Sequence, residues 1–175
     1  MAAKTDGRRS GGTATAARFT TSIDIPADAR EQLNVILNQQ LADTADLYSQ
    51  TKHAHWNVKG RDFYQLHLLF DQLAACAAEW SDLIAERVAQ LGGYGKGTVR
   101  MAAAATSLAE YPVSAIEGMD HVKALVAAHA NYAASTREAI ADCEKLDDPT
   151  TVDMLTEISR DVDKNLWFLE AHLQA

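Results

Sequence analysis

Cysteine, proline and glycine are scarce in this chain: 2, 3 and 9 of 175 residues, with aromatic residues at 7%. Cys76 and Cys143 lie far apart and form no Cys-x-x-Cys pair, which excludes a disulfide framework and a zinc knuckle and predicts two reduced core thiols. No apolar run approaches the roughly 20 residues of a membrane span, and the N-terminus lacks the apolar core of a secretory signal, so the reading is a soluble, cytoplasmic protein without membrane contact. Basic charge is also in short supply. Sixteen Lys and Arg stand against 24 Asp and Glu, a net −8, which argues against a surface that grips nucleic acid all over. No stretch alternates like a strand. What remains is abundant alanine and 47% hydrophobic content, enough for one helical domain with a sizeable core.

The charge is unevenly spread. Residues 1–22 carry Lys4, Arg8, Arg9 and Arg18 against Asp6, a net +3, leaving −11 for the rest. Rich in Gly, Ala, Thr and Ser, this segment has almost nothing to bury and reads as a disordered basic tail, with 23–175 as the folded domain. The first helix is expected from Pro26 to about Asn57, closed by Gly60, with Leu33, Leu37, Leu41 and Tyr48 on its apolar stripe. The second runs from about Asp62 to Leu91, ended by Gly92-Gly93, and recurs apolar from Leu66 through Phe70, Leu73, Trp80 and Ile84. A third is expected from Val113 to Cys143 and a fourth after Pro149. Short links join the first pair and the second pair into antiparallel hairpins. The roughly 20 residues from Gly92 to Pro112 can run the length of a bundle, with a short helix at Met101–Ala109. The fold class is therefore all-α, a four-helix bundle with the single long crossover of ferritin-like folds.

The second helix carries an unusual polar ribbon. His67 and Asp71 are four apart, as are Asp82 and Glu86, and Asp82 follows Asp71 by about three turns. At about 100° per residue from Leu66, all four fall between about 100° and 200°, facing away from the core of their own bundle. Ala74, Ala75, Ala78, Ala85 and Ala89 surround them, a set of small residues that lets another helix come close. The two pairs are roughly 16 Å apart along the axis, too far for one chain to close on one metal. Two such helices packed antiparallel about a two-fold axis would set His67 and Asp71 of one subunit opposite Asp82 and Glu86 of the other. Imidazoles with hard carboxylates suit Fe(II), with Mn(II) or Zn(II) as substitutes, and His55 offers a second imidazole. The same spacing also suits an ordinary solvated face with i,i+4 pairs, and His55 alone reads equally as a capping histidine. His129 reads as core; His53, His121 and His172 read as surface.

These segments, KHAHWNVKG (Lys52 to Gly60), LHLLFD (Leu66 to Asp71), DLIAERVAQLGG (Asp82 to Gly93) and SRDVDKNLWFLE (Ser159 to Glu170), resemble the Dps family, ferritin-like mini-ferritins named as DNA-binding proteins from starved cells. The similarity spans about Ile25 to Ala175. It implies a hollow homo-dodecameric shell with a ferroxidase centre at each two-fold interface, where His55, His67 and Asp71 of one subunit face Asp82 and Glu86 of the next. Trp56 would pack beside the centre and Lys52 would pair with a nearby acidic residue. Peroxide would oxidise Fe(II), and Fe(III) would be stored as mineral, protecting DNA. Asp153 would line a three-fold pore, although a solvated helix face accounts for it as well. Glu-x-x-His is absent from the sequence, so the di-iron site held within one subunit of larger ferritins is not expected. Family members differ in DNA binding. The basic tail, with Lys4, Arg8, Arg9 and Arg18, would be its device and would associate the cage with the nucleoid; a solubilising extension is the other reading. A cage that mainly compacts DNA around a vestigial metal site is the alternative function.

Overall fold

A computed structural model describes residues 19–174. Five helices follow one another: α1 (Ala27–Asn57), α2 (Phe63–Gln90), α3 (Val99–Ala105), α4 (Gly118–Glu144) and α5 (Pro149–Glu170). Among the described residues the β structure is a single isolated bridge, Lys59 to Glu117. α1 packs along α2 and α4 along α5; α1 also meets α4, and α3 lies on α1. No helix among these residues is long and apolar enough to cross a membrane.

The helix boundaries follow local chemistry. Pro26 caps α1, where a missing N–H costs nothing, and Gly60 (φ +102°) turns the chain into α2. Gly92 (φ +78°) and Gly93 end α2. Asp148 caps α5 by accepting the Thr151 N–H at 3.2 Å, with Pro149 in the first turn. The apolar faces of α1, α2, α4 and α5 meet in a core that includes Leu33, Leu37, Trp80, Ile84, Tyr132 and Ile158, and a second cluster forms around Phe70, Leu73, Leu125 and Leu169. Cys143 is buried and Cys76 half-buried, both as free thiols.

Four details differ from the sequence reading. α4 begins at Gly118 rather than Val113: residues 112–115 form a turn, and Val113 is exposed. A Cβ at Gly118 would come 2.7 Å from Leu66 Cδ1, so this helix starts where its backbone lies directly against the Leu66 side chain. α3 is Val99–Ala105, not Met101–Ala109, because Thr98 caps it and Asp43 draws off the following chain by accepting the Ser107 N–H at 2.6 Å. Tyr48 is exposed, and its neighbour Leu47 takes the core position. His121 is fully buried, sharing a 2.7 Å hydrogen bond with Tyr111 Oη.

His129, placed in the core by its apolar neighbours, is fully buried with Nδ1–H donating to Leu125 O at 2.9 Å. Burial pushes its pKa down to about 4 from 6.5. The unfolded chain takes up this proton near pH 6.5 and the folded chain only near pH 4, so the contribution is intact above pH 6.5 and shrinks as pH falls through that window. Urea unfolding of the wild type should show about 2 kcal/mol less stability at pH 5 than at pH 7 from this residue. His129→Leu should remove that part of the acid slope.

Candidate metal centre

The short elbow between α1 and α2 brings the last turn of α1 against the first turns of α2. His55 and His67 stack there with ring centroids 3.8 Å apart and planes 20° from parallel. Each ring is fixed by the other residue's backbone: His55 Nδ1 bonds His67 O at 2.8 Å, and His67 Nδ1 bonds His55 O at 2.9 Å. A carbonyl can only accept, so each Nδ1 carries the proton and each Nε2 keeps its lone pair for a ligand. His55 Nε2 lies 3.9 Å from Asp71 Oδ1.

Asp71 is held in turn by Lys52, whose Nζ is 2.6 Å from Oδ1. That hydrogen bond, with the Lys52 charge behind it, keeps the Asp71 carboxyl below the usual carboxylate range. Lys52 also reaches over the Trp56 ring, 5.9 Å from its centroid, and Trp56 is exposed. One hairpin thus gathers two imidazole lone pairs and an ionised carboxylate beside an exposed indole.

Asp82 and Glu86 stand exposed further along α2, about three turns away. Among the described residues no three His, Cys, Asp or Glu side chains form a closed metal-binding group. The ribbon therefore holds two separated halves on one outward face. Ala75, Ala78 and Ala89 are exposed beside them, with Leu68 half exposed; Ala74 instead turns into the core. Exposed apolar and small residues around unpaired halves are what a helix–helix contact requires.

Asp153 is exposed in the second turn of α5, away from this cluster in sequence. Lys4, Arg8, Arg9 and Arg18 lie outside the described residues. Two features had no readable signal in the sequence. The reciprocal Nδ1–carbonyl lock needs two backbones brought together by the elbow, and the link between Tyr111 and His121 depends on the path of the crossover.

A bundle of four long helices with one long crossing connection defines a ferritin-like protein, and the family model described as a ferritin-like domain matches residues 35–175. Within that class the chain belongs to the Dps family. It is 43% identical over 154 residues to a DNA protection during starvation protein of Agrobacterium fabrum, covering 88% of this chain and 95% of that one. A protein of the same name from Brevibacillus brevis is 33% identical, covering 80% and 93%. Among solved structures, DpsA14 from Streptomyces coelicolor superposes with a TM-score of 0.86 at 30% identity, covering 93% of this chain and 96% of that one. Mycobacterium smegmatis Dps in its tetragonal form gives 0.85 at 29% identity, covering 89% and 94%.

Proposed function

We propose that this protein oxidises Fe(II) with hydrogen peroxide at centres formed between subunits of a hollow dodecamer, and stores the Fe(III) inside. The observation that carries the reading is the mutual fixing of His55 and His67, which leaves both Nε2 atoms and the Asp71 carboxylate as a preformed half-site. Iron is the substrate here. The imidazoles give Fe(II) its initial affinity, and hard carboxylates favour Fe(III) over Fe(II), which eases oxidation. Asp82 and Glu86 of the partner subunit would complete the site. Two irons give up one electron each, peroxide accepts both as its O–O bond breaks, and the oxygens leave as water or as hydroxide bound for the mineral. Pairing the electrons avoids release of hydroxyl radical. Zn(II) and Mn(II) suit the same donors and would compete for them.

Asp153 and its acidic neighbours on α5 would draw cations inward through a three-fold pore. Anomalous scattering from crystals soaked in Fe(II) tests the assignment. Density at His55, His67 and Asp71 would support it, and metal bound only elsewhere would defeat it.

The name shared by the relatives favours a second activity, shielding of DNA in the cytoplasm at the nucleoid. The bodies carry −11 each and repel phosphate, so contact falls to the tails, where Lys4, Arg8, Arg9 and Arg18 from twelve subunits act together. Deleting residues 1–18 should abolish the retardation of DNA in a low-salt gel. Unchanged retardation would exclude the tail as the contact.

A further inference from the structure

The crossed contacts between His55 and His67 hold while the end of α1 and the start of α2 stay together across the elbow. α4 begins directly against that elbow. Lys59 bridges to Glu117, and a Cβ at Gly118 would come 2.7 Å from Leu66 Cδ1 and 3.6 Å from Lys59 O. Leu66 is the residue before His67, so α4 bears on the elbow beside one of the two imidazoles.

His121, in the first turn of α4, is fully buried. Its Nδ1 lies 2.7 Å from Tyr111 Oη, and the Tyr111 ring meets the His53 ring edge-on with centroids 4.9 Å apart. His53 comes two residues before His55, and Asn57, whose backbone acts on the His121 ring, comes two residues after it. Burial pulls the His121 pKa down from 6.5; the His53 and Lys59 charges act the same way, against Asp120 and the Asn57 backbone. The ring is therefore neutral at pH 7, and burial keeps Tyr111 a phenol by raising its pKa. A neutral Nδ1 can accept the phenol O–H, which puts the ring proton on Nε2. That Nε2 is buried and makes no hydrogen bond of ordinary geometry, so the Tyr111 bond orients the ring. An apolar side chain of similar size would carry no unpaired polar atom here, but it could not hold Tyr111.

We propose that His121 and Tyr111 are positioning residues for the His55/His67 half-site: their hydrogen bond pins the end of the crossover against the closing turns of α1 and keeps the elbow in the arrangement that presets both Nε2 lone pairs. Neither residue is a ligand. Tyr111 bears on α1 through His53, His121 bears on it at Asn57, and the Gly118 backbone bears on α2 through Leu66. His55 and His67 lie between these supports. This role rests on the half-site reading of His55, His67 and Asp71, and is independent of whether iron is oxidised there.

Tyr111→Phe is the sharpest probe, because it deletes Oη and keeps the ring against His53. Zn(II), which suits the same donors, gives a readout that needs no oxidation. In calorimetric titration of the full, assembled protein, the half-site is the Zn(II) component missing from His67→Ala/Asp71→Ala cages. Its affinity should fall by about tenfold in Tyr111→Phe and in His121→Leu, and stay within about twofold of wild type in His121→Asn, whose amide oxygen can take the place of Nδ1. Should the leucine variant fail to assemble, Tyr111→Phe decides alone. Iron kinetics at pH 7 should split the same way, with KM raised and kcat nearly unchanged. Hydrogen exchange of residues 58–66 should be several-fold faster in Tyr111→Phe, with the middle of α5 unchanged. Wild-type Zn(II) affinity in Tyr111→Phe would overturn the proposal, even with faster exchange, because the pair would then brace the fold without preparing the site. An asparagine variant as weak as the leucine one would overturn it too. Cages that show these Zn(II) differences but oxidise no iron would defeat the ferroxidase reading and uphold the positioning role.

Discussion

Cages carrying His67→Ala with Asp71→Ala are expected to assemble normally and to lose peroxide-driven iron oxidation by on the order of 100-fold or more, down to the rate in buffer. Followed by absorbance of Fe(III), the difference should appear in the first turnovers, before mineral surface contributes. Both side chains are on the outward face, and neither belongs to the core clusters, so the fold has little reason to respond. The single variants should be almost as damaging as the pair. His55→Ala deletes one imidazole and the 3.8 Å stacking contact it makes with the other, while the His55 carbonyl that receives the His67 Nδ1–H remains. Groups that act as a unit are not additive, so His55→Ala, His67→Ala and the double variant of both should have similar rates. Equal rates in wild-type and His67→Ala/Asp71→Ala cages would reject the ferroxidase assignment.

The largest expected loss of stability is at a site with no part in the chemistry. Arg87 on α2 and Asp148 at the start of α5 form a buried ion pair, with Nη2 2.9 and 2.8 Å from the two carboxylate oxygens. Their side chains are 8% and 1% exposed. Arg87 Nε donates to Thr151 Oγ1 at 2.9 Å and Nη1 to Gln90 Oε1 at 3.2 Å, and the Thr151 hydroxyl bonds Asp148 as well. Burial alone would raise the Asp148 pKa, but the Thr151 and Arg87 hydrogen bonds outweigh it and hold the carboxyl below 3.8. A depressed carboxylate contributes fully above its unfolded value and loses that contribution only as pH falls through the folded one, so this pair is intact at neutral pH.

Asp148→Asn keeps a side chain that can cap α5 but strands a guanidinium in the interior. The expected cost is about 3–5 kcal/mol, or on the order of 10 °C in Tm. Adding Arg87→Met should recover most of it, because the stranded charge is then gone. Calorimetry of the two variants at pH 7 distinguishes the cases. A single variant as stable as the wild type would mean that the pair contributes nothing net.

Much of this molecule can be read from residue spacing. Gly60, Gly92-Gly93 and Pro149 mark three helix termini to within three residues, because φ above zero and a missing N–H act locally. The outward ribbon was readable for a similar reason, since residues 67, 71, 82 and 86 share a face in any straight α-helix. Local rules fail where distant segments decide. Val113 and Ile116 are apolar and extend the helical pattern backward, yet both are exposed and the helix starts only where Gly118 meets Leu66. His121 looks like a surface residue until Tyr111 comes back across it from the crossover. The pairing of His55 with His67 lies between these extremes: the residue types were visible, but the lock that prepares their Nε2 atoms depends on two backbones meeting at the elbow.

The claim on which the functional account rests is that each centre draws its ligands from two subunits. Co-assembly tests this directly. His67→Ala/Asp71→Ala subunits lack one half of every centre, and Asp82→Ala/Glu86→Ala subunits lack the other, so each pure cage should be inactive. In cages refolded from an equal mixture, half of the two-fold interfaces pair unlike subunits, and each of those holds one intact centre and one left with His55 alone. The account predicts recovery of about a quarter of wild-type activity. Mixed cages as inactive as their parents would contradict it.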